Sequence, residues 1–164
     1  MIKEMLKSAG KGSRPKRRSA CPLNASVEML GDRWSLLILR DMMLRGFRTF
    51  KQFMECYEGI ATNILADRLR RLVSYGIITA EADPSDGRKS LYRLTRKGID
   101  LAPVLTEMVL WAAAHEETGN QALVQLMRAD KEKFLAEARQ RWEQTQRPQV
   151  PKKLPVGGSP GDPR

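Results

Sequence analysis

The spacing of apolar residues changes once along this chain, and that change restricts the fold more than any other feature. From Pro22 to Ser74 apolar residues recur at three- and four-residue intervals, as in helices packed on a core. Two short runs follow, Ile77–Ala82 and Ser90–Leu94, with the composition of strands. Between them lies Asp83-Pro-Ser-Asp-Gly-Arg88, whose proline and glycine suit a tight hairpin loop. Helical spacing then returns. The predicted fold is mainly α with a small two-stranded β-wing.

The helical stretches carry their own punctuation. Pro22 suits the first turn of a helix running to about Leu30, where Gly31-Asp32 interrupts it. Trp34 to Leu44 is too apolar for a surface helix and is predicted to be the central buried one, ended by Arg45-Gly46. Thr49-Phe-Lys-Gln52 has the form of a capping box and opens a third helix, predicted to end near Glu58-Gly59. A fourth spans Thr62 to Ser74. Thr95 is placed to cap a helix reaching about His115, with a kink expected at Pro103. An amphipathic helix is expected between Gln121 and Gln144, with Phe134, Ala138 and Trp142 four residues apart. The resulting division is a basic flexible arm at 1–19, a core domain at 20–116, a helical extension at 117–146 and a Pro/Gly-rich tail at 147–164, which is predicted to be disordered.

Charge narrows the function. A formal net charge of +10 on 164 residues predicts a polyanionic partner. No run of 18 apolar residues is present, so no membrane partner is expected. Met1 to Ala20 does not read as a secretory signal. Cys21 and Cys56, with the single His115, make neither a disulfide framework nor a regular zinc site, and a reducing cytoplasm is the expected compartment. No Walker loop or dinucleotide fingerprint occurs. No cofactor, no metal and no enzymatic activity are expected.

Three helices, a turn, a helix and a hairpin form the order of a winged helix-turn-helix, which sets its second motif helix in the major groove. At 100° per residue, Leu65, Leu69, Leu72 and Val73 share one face of the Thr62–Ser74 helix and should anchor it. Asn63, Asp67, Arg70, Arg71 and Ser74 face the other way, and Ile64 also points outward. Asparagine can read adenine, and arginine can read guanine or hold phosphate. Thr62 and the first amides of the helix suit a phosphate oxygen. Lys51 on the preceding helix and Arg88 and Lys89 at the hairpin complete the candidate DNA-binding set; Asp83 and Asp86 partly offset the hairpin charge. Each piece has a plainer counterpart, a solvated polar face. An RNA-binding or protein-interaction winged helix is the alternative, although no aromatic stacking platform is evident.

An ordered series of motifs adds to this. Cys21-Pro-Leu and Leu30-Gly-Asp-Arg-Trp-Ser-Leu-Leu-Ile-Leu39 are followed by Phe50-Lys-Gln-Phe53, Gly59-Ile60, Leu65-Ala-Asp-Arg-Leu69, Leu72 and Gly76-Ile-Ile78. Tyr92-Arg-Leu-Thr95, Gly98, Pro103-Val-Leu105 and Trp111 continue it. Together they resemble the HxlR family over about three-fifths of the chain. The resemblance implies a dimeric winged-helix regulator of transcription, often a repressor, on inverted-repeat operators. Two features depart from it. Ala61 stands where many relatives carry a serine cap, and the hairpin looks more like that of MarR-type regulators.

Two expectations concern assembly and signal. Leu101, Val104, Leu105, Met108, Trp111 and Ala112 form an apolar stripe; Leu101, Leu105, Met108 and Trp111 are the candidate dimer interface, with the domain's own core as the alternative destination. Cys21 sits before a helix start and after Arg17 and Arg18, an environment that favours thiolate, and the resemblance implies that some relatives sense oxidants through a cysteine at this place, with an inert thiol as the alternative. It is the candidate redox sensor, and an oxidant or a small molecule the candidate signal. Cys56, expected on the third helix, is read as a structural thiol.

Overall fold

The computed structural model describes residues 19–56 and 58–146; the arm through Arg18 and the tail from Arg147 lie outside them. Helix α1 (Pro22–Leu30) begins on proline, as expected, and leads into α2 (Arg33–Leu44). Asp32 caps α2: its Oδ1 accepts from the Ser35 amide at 2.9 Å and its Oδ2 from the Ser35 hydroxyl at 2.6 Å. Helix α2 is the central one, burying Ser35, Ile38, Leu39, Asp41 and Met42. The buried Asp41 carboxylate is not left alone, since the Arg40 guanidinium lies 2.9 Å from it and Arg45 3.5 Å.

Helix α3 (Phe50–Met54) opens on the expected capping box. Gln52 Oε1 accepts from the Thr49 amide at 2.9 Å, and Thr49 Oγ1 accepts from the Gln52 amide at 3.3 Å. It is shorter than expected, ending at Met54 rather than near Gly59. Gly59 has a positive φ of 68° and donates to the Cys56 carbonyl, so the chain turns there instead of continuing the helix. Cys56 therefore lies in this turn and not on α3. Helix α4 (Thr62–Ser74) has the predicted bounds. Strands β1 (Ile78–Ala82) and β2 (Ser90–Leu94) pair antiparallel, from Ile78 opposite Leu94 to Ala82 opposite Ser90. Thr49 bridges to Leu91 at the outer edge, and the Tyr92 amide donates to the Arg48 carbonyl at 2.8 Å.

The helix expected from Thr95 to His115 is two helices, α5 (Arg96–Ile99) and α6 (Ala102–His115). Pro103 has no amide to offer the Ile99 carbonyl, and the chain breaks completely where a kink was expected. Thr95 caps α5 by accepting from the Gly98 amide at 3.1 Å. Gly98 is needed there for a second reason: a Cβ on it would meet the Ile77 carbonyl oxygen at 2.3 Å. The extension is likewise two helices, α7 (Gln121–Ala129) and α8 (Lys131–Gln146). Asp130 divides them because its carboxylate accepts from the Lys133 amide at 2.9 Å, starting a new helix.

One core joins the helices α1 to α6 and the wing, and α8 packs against it. Leu39, Phe53, Leu65, Leu69, Leu72, Ile77 and Ile78 are its most deeply buried members. Each such side chain contributes about 1.5–3 kcal/mol on burial. Phe53 meets Phe47 and Tyr92 edge-on, with centroids 5.9 and 6.4 Å apart, and so ties α3 to the wing. Phe134 and Ala138 of α8 are buried, and Trp142 packs against the core. The whole is a winged helix-turn-helix with a docked helical extension.

Candidate nucleic-acid interface

The burial of α4 fixes what it can present. Leu65, Leu69 and Leu72 are in the core, so the opposite face must be outermost. Thr62, Asn63, Arg70 and Ser74 are exposed there, with Asp67 half-buried among them. Arg70 is held by its own helix: Nε donates to the Ala66 carbonyl at 3.3 Å and Nη2 lies 3.5 Å from Asp67 Oδ1. Asp67 also pairs with Arg68 at 3.3 Å. Ala61 precedes the helix without a side-chain acceptor, so no cap occupies the first amides. Lys51 on α3 is exposed and lies 3.5 Å from Glu55.

Two residues of α4 are not where the helical wheel put them. Arg71 reaches across to α1, where Nη2 donates to the Glu28 carbonyl at 3.1 Å; it closes the C-terminal end of that helix rather than standing on the outer face. Ile64 packs against the core. Both lie near the edge of the apolar stripe, where a long or branched side chain can swing to either side.

Sequence reasoning passed over the charge network that holds α4 in position. Glu58, in the turn before α4, receives Arg40 at 3.0 Å and Arg33 at 3.1 Å. The Arg40 hydrogen bond, and then that of Arg33, holds the Glu58 carboxyl below its usual range against the opposing effect of burial. Arg68 lies 3.2 Å from the Asp32 carboxylate that caps α2. No local motif announces these pairs, because their members come from three separate segments.

The hairpin tip is nearly neutral. Asp86 lies 3.2 Å from Arg88 and 3.3 Å from Lys89. The Arg88 hydrogen bond comes first among the causes that lower the Asp86 pKa, and the Ser85 hydroxyl does the same for Asp83. Both carboxylates are therefore ionised at neutral pH. The Arg88 side chain is nonetheless 92% exposed and free to change partner.

The predicted dimer stripe divides in two. Leu101 and Leu105 pack against the core. Met108 and Trp111 stay outside, with Trp111 66% exposed, and Val104 joins them. Leu23 and Val27 on α1 are also exposed. Cys21 is exposed at the start of α1, its amide held by the Ser19 hydroxyl at 3.0 Å. Arg17 and Arg18 lie outside the described residues. Cys56 is half-buried. Among the described residues no helix is long and apolar enough to cross a membrane.

Comparison with known proteins agrees with this architecture. Residues 29–120 match the HxlR-like helix-turn-helix family model. The HTH-type transcriptional regulator YodB of Bacillus subtilis is 35% identical over 101 residues, covering 61% of this chain and 89% of YodB. The HTH-type transcriptional regulator sll1512 of Synechocystis is 35% identical over 88 residues, covering 54% of this chain and 64% of its own length. Among solved structures, PA1607 aligns with a TM-score of 0.57 at 36% identity, covering 63% of this chain and 71% of its own. The redox regulator HypR in its oxidised form aligns with a TM-score of 0.53 at 25% identity, covering 60% of this chain and all of HypR.

Proposed function

Because the chain belongs to the HxlR-like helix-turn-helix family, whose members are DNA-binding transcriptional regulators and not enzymes, we propose that it is a homodimeric repressor on inverted-repeat operators. In this reading α4 enters the major groove, Asn63 and Arg70 meet base edges, and Thr62 meets phosphate. Lys51 and the 83–89 hairpin flank it on the backbone. Arg71 has a structural partner and is not among the reading residues. The observation that carries the proposal is the two-sided character of α4. Three leucines bury one face, and the exposed face offers asparagine, arginine and hydroxyl groups beside a hairpin whose Arg88 side chain is exposed.

The exposed apolar residues Val104, Met108 and Trp111 supply the dimer face in this reading, with Leu101 and Leu105 supporting it from the core side. Two copies about a two-fold axis would set their α4 helices about 34 Å apart, one DNA turn. Cys21 is the proposed oxidant-responsive group, supported by its exposure and by the likeness to a redox regulator. Work in the cytoplasm, on the nucleoid, follows from the same reading.

Selection of duplex binding sites from a random pool, followed by sedimentation of the free and bound protein, tests this. The expected result is a palindromic site bound by two chains, with log affinity falling against log salt by about 0.9 per phosphate neutralised. A monomer that prefers single-stranded RNA would overturn it.

A further inference from the structure

A cavity of about 450 Å³ lies between the base of the wing and the C-terminal helix α8. Its size is within the roughly 300–1,000 Å³ of small-molecule sites. Arg45 and Arg48 line it from the loop after α2, Arg93 from β2 and Arg141 from α8, and no carboxylate among the described residues lines it. Its apolar surface comes from Phe47, Tyr92, Leu94 and Trp142.

The arginines are unequally satisfied. Arg45 has Asp41 at 3.5 Å, and Arg141 has Glu137 at 4.0 Å. Arg93 donates to the Thr145 carbonyl at 2.7 Å and lies 3.5 Å from Glu81. Arg48 has no carboxylate within 4 Å among the described residues; its partial burial, and then the like charge of Arg93, disfavour its charged form. Two guanidiniums on a concave, partly desolvated surface repel each other unless an anion stands between them. Guanidiniums suit a carboxylate or a phosphate, which they can bind through paired hydrogen bonds.

We infer that this cavity binds a small organic anion, a carboxylate or a phosphate carried on an apolar ring-sized body. The head group lies between Arg48 and Arg93, and the body lies against Phe47, Tyr92 and Trp142. A DNA phosphate fits the cavity less well, because it would leave the aromatic surface unused. The far wall is α8, which lies beyond the 29–120 segment shared with the family. The site is therefore particular to chains that carry such an extension, and it stands whether or not α4 reads DNA.

Titration calorimetry on the full chain, without DNA, tests the site with three matched probes: 2-naphthoate, 2-naphthyl phosphate and the neutral 2-naphthamide. The expected result is saturable binding of one anion per chain, at least tenfold tighter than the amide. The tighter of the two anions identifies the head group. Arg48→Met should weaken both anions at least tenfold and leave the amide unchanged, with the same circular dichroism as the parent. Should Arg48→Met fail to fold, Arg48→Gln, which removes the same charge and keeps a polar side chain, gives the same comparison. Equal affinity for amide and anions, no saturable binding, or arginine variants that bind as the parent does would each overturn the inference. So would loss of duplex affinity in Arg48→Met without any anion binding, which would make the cavity a phosphate contact for DNA.

Discussion

The indole N–H of Trp142 donates to the carbonyl of Leu94 at 2.8 Å, fastening α8 to the last residue of the wing. Gln146 Nε2 approaches the same carbonyl at 3.3 Å. Trp142→Phe keeps most of the ring packing and removes the donor, so it should cost about 1 kcal/mol, the usual net value of such a bond. Urea melts measure the loss. Amide exchange should quicken in β2 more than in α2 if the bond holds the wing down.

The outer face of α4 and the hairpin should fail in different ways. Arg70→Ala or Asn63→Ala should relax base preference, since a good base contact discriminates by about 1–3 kcal/mol. Arg88→Ala or Lys89→Ala should weaken all duplexes evenly and flatten the salt dependence. Asp86→Asn, which frees both cations from their shared partner, should do the reverse. Site selection repeated with each variant separates the two. A changed preferred sequence in the hairpin variants alone would move the reading role from α4 to the wing.

Trp111→Ala should act on assembly more than on folding. A buried tryptophan lost from a core costs about 3–5 kcal/mol, but this ring is mostly exposed and its main ring contact is His115, at 5.4 Å between centroids. The expected outcome is a weakened dimer with a nearly unchanged melt of the monomer. Light scattering beside calorimetry would show it. A stable dimer with a much lower melting temperature would return Trp111 to the core.

Acid should loosen the turn before α4 through Glu58. Its carboxyl pKa is lowered in the folded chain, chiefly by the Arg40 hydrogen bond. The stabilisation is therefore complete above the ordinary glutamate value of about 4.3 and is lost as pH falls through the lowered folded value. Glu58→Gln should be less stable at pH 7 by about 1.5–3 kcal/mol, the range for hydrogen bonds to charged groups. The difference should shrink as pH falls below about 4.3 and disappear below the lowered folded value. Denaturant melts across this range supply the check, and a difference independent of pH would remove Glu58 from the account.

Oxidation should act through Cys21. Diamide or mild peroxide is expected to change duplex affinity of the parent, with recovery on adding thiol, and to leave Cys21→Ser unaffected. Gel shifts before and after treatment measure this. An equal response in the serine variant would point to Cys56 or to a signal of another kind.

Much of the fold was legible because local chemistry and burial agree. Pro22, the Thr49–Gln52 box, the leucines of α4 and the Asp83–Arg88 loop each act within a few residues, and the elements they define begin within a residue or two of expectation. Where sequence reasoning failed, an individual polar or conformational choice overrode the apolar spacing. Asp130 preferred to cap a new helix, and Gly59 turned the chain before α3 could reach it. The site was legible only in part. An outward position on a wheel does not say whether a long side chain finds a neighbour, as Arg71 finds Glu28. Nothing in the linear order places Arg48 beside Arg93 and Arg141, which come together only when α8 folds back on the wing.

The carbonyl of Glu28 takes a hydrogen bond from Arg71 at 3.1 Å and a longer one from Tyr75 at 3.5 Å, while Lys97 bonds the Tyr75 carbonyl at 2.8 Å. The helix that starts at Cys21 and the helix that displays Asn63 and Arg70 are thereby coupled as one lever. A tilt imposed on α1 would pass to α4 through these bonds. In a two-fold assembly each copy would contribute the same tilt, and the span between the two groove-reading ends would change by the sum of both. If the proposed dimer spans one turn of DNA, a small push on α1 would be enough to take the two copies out of phase with their site.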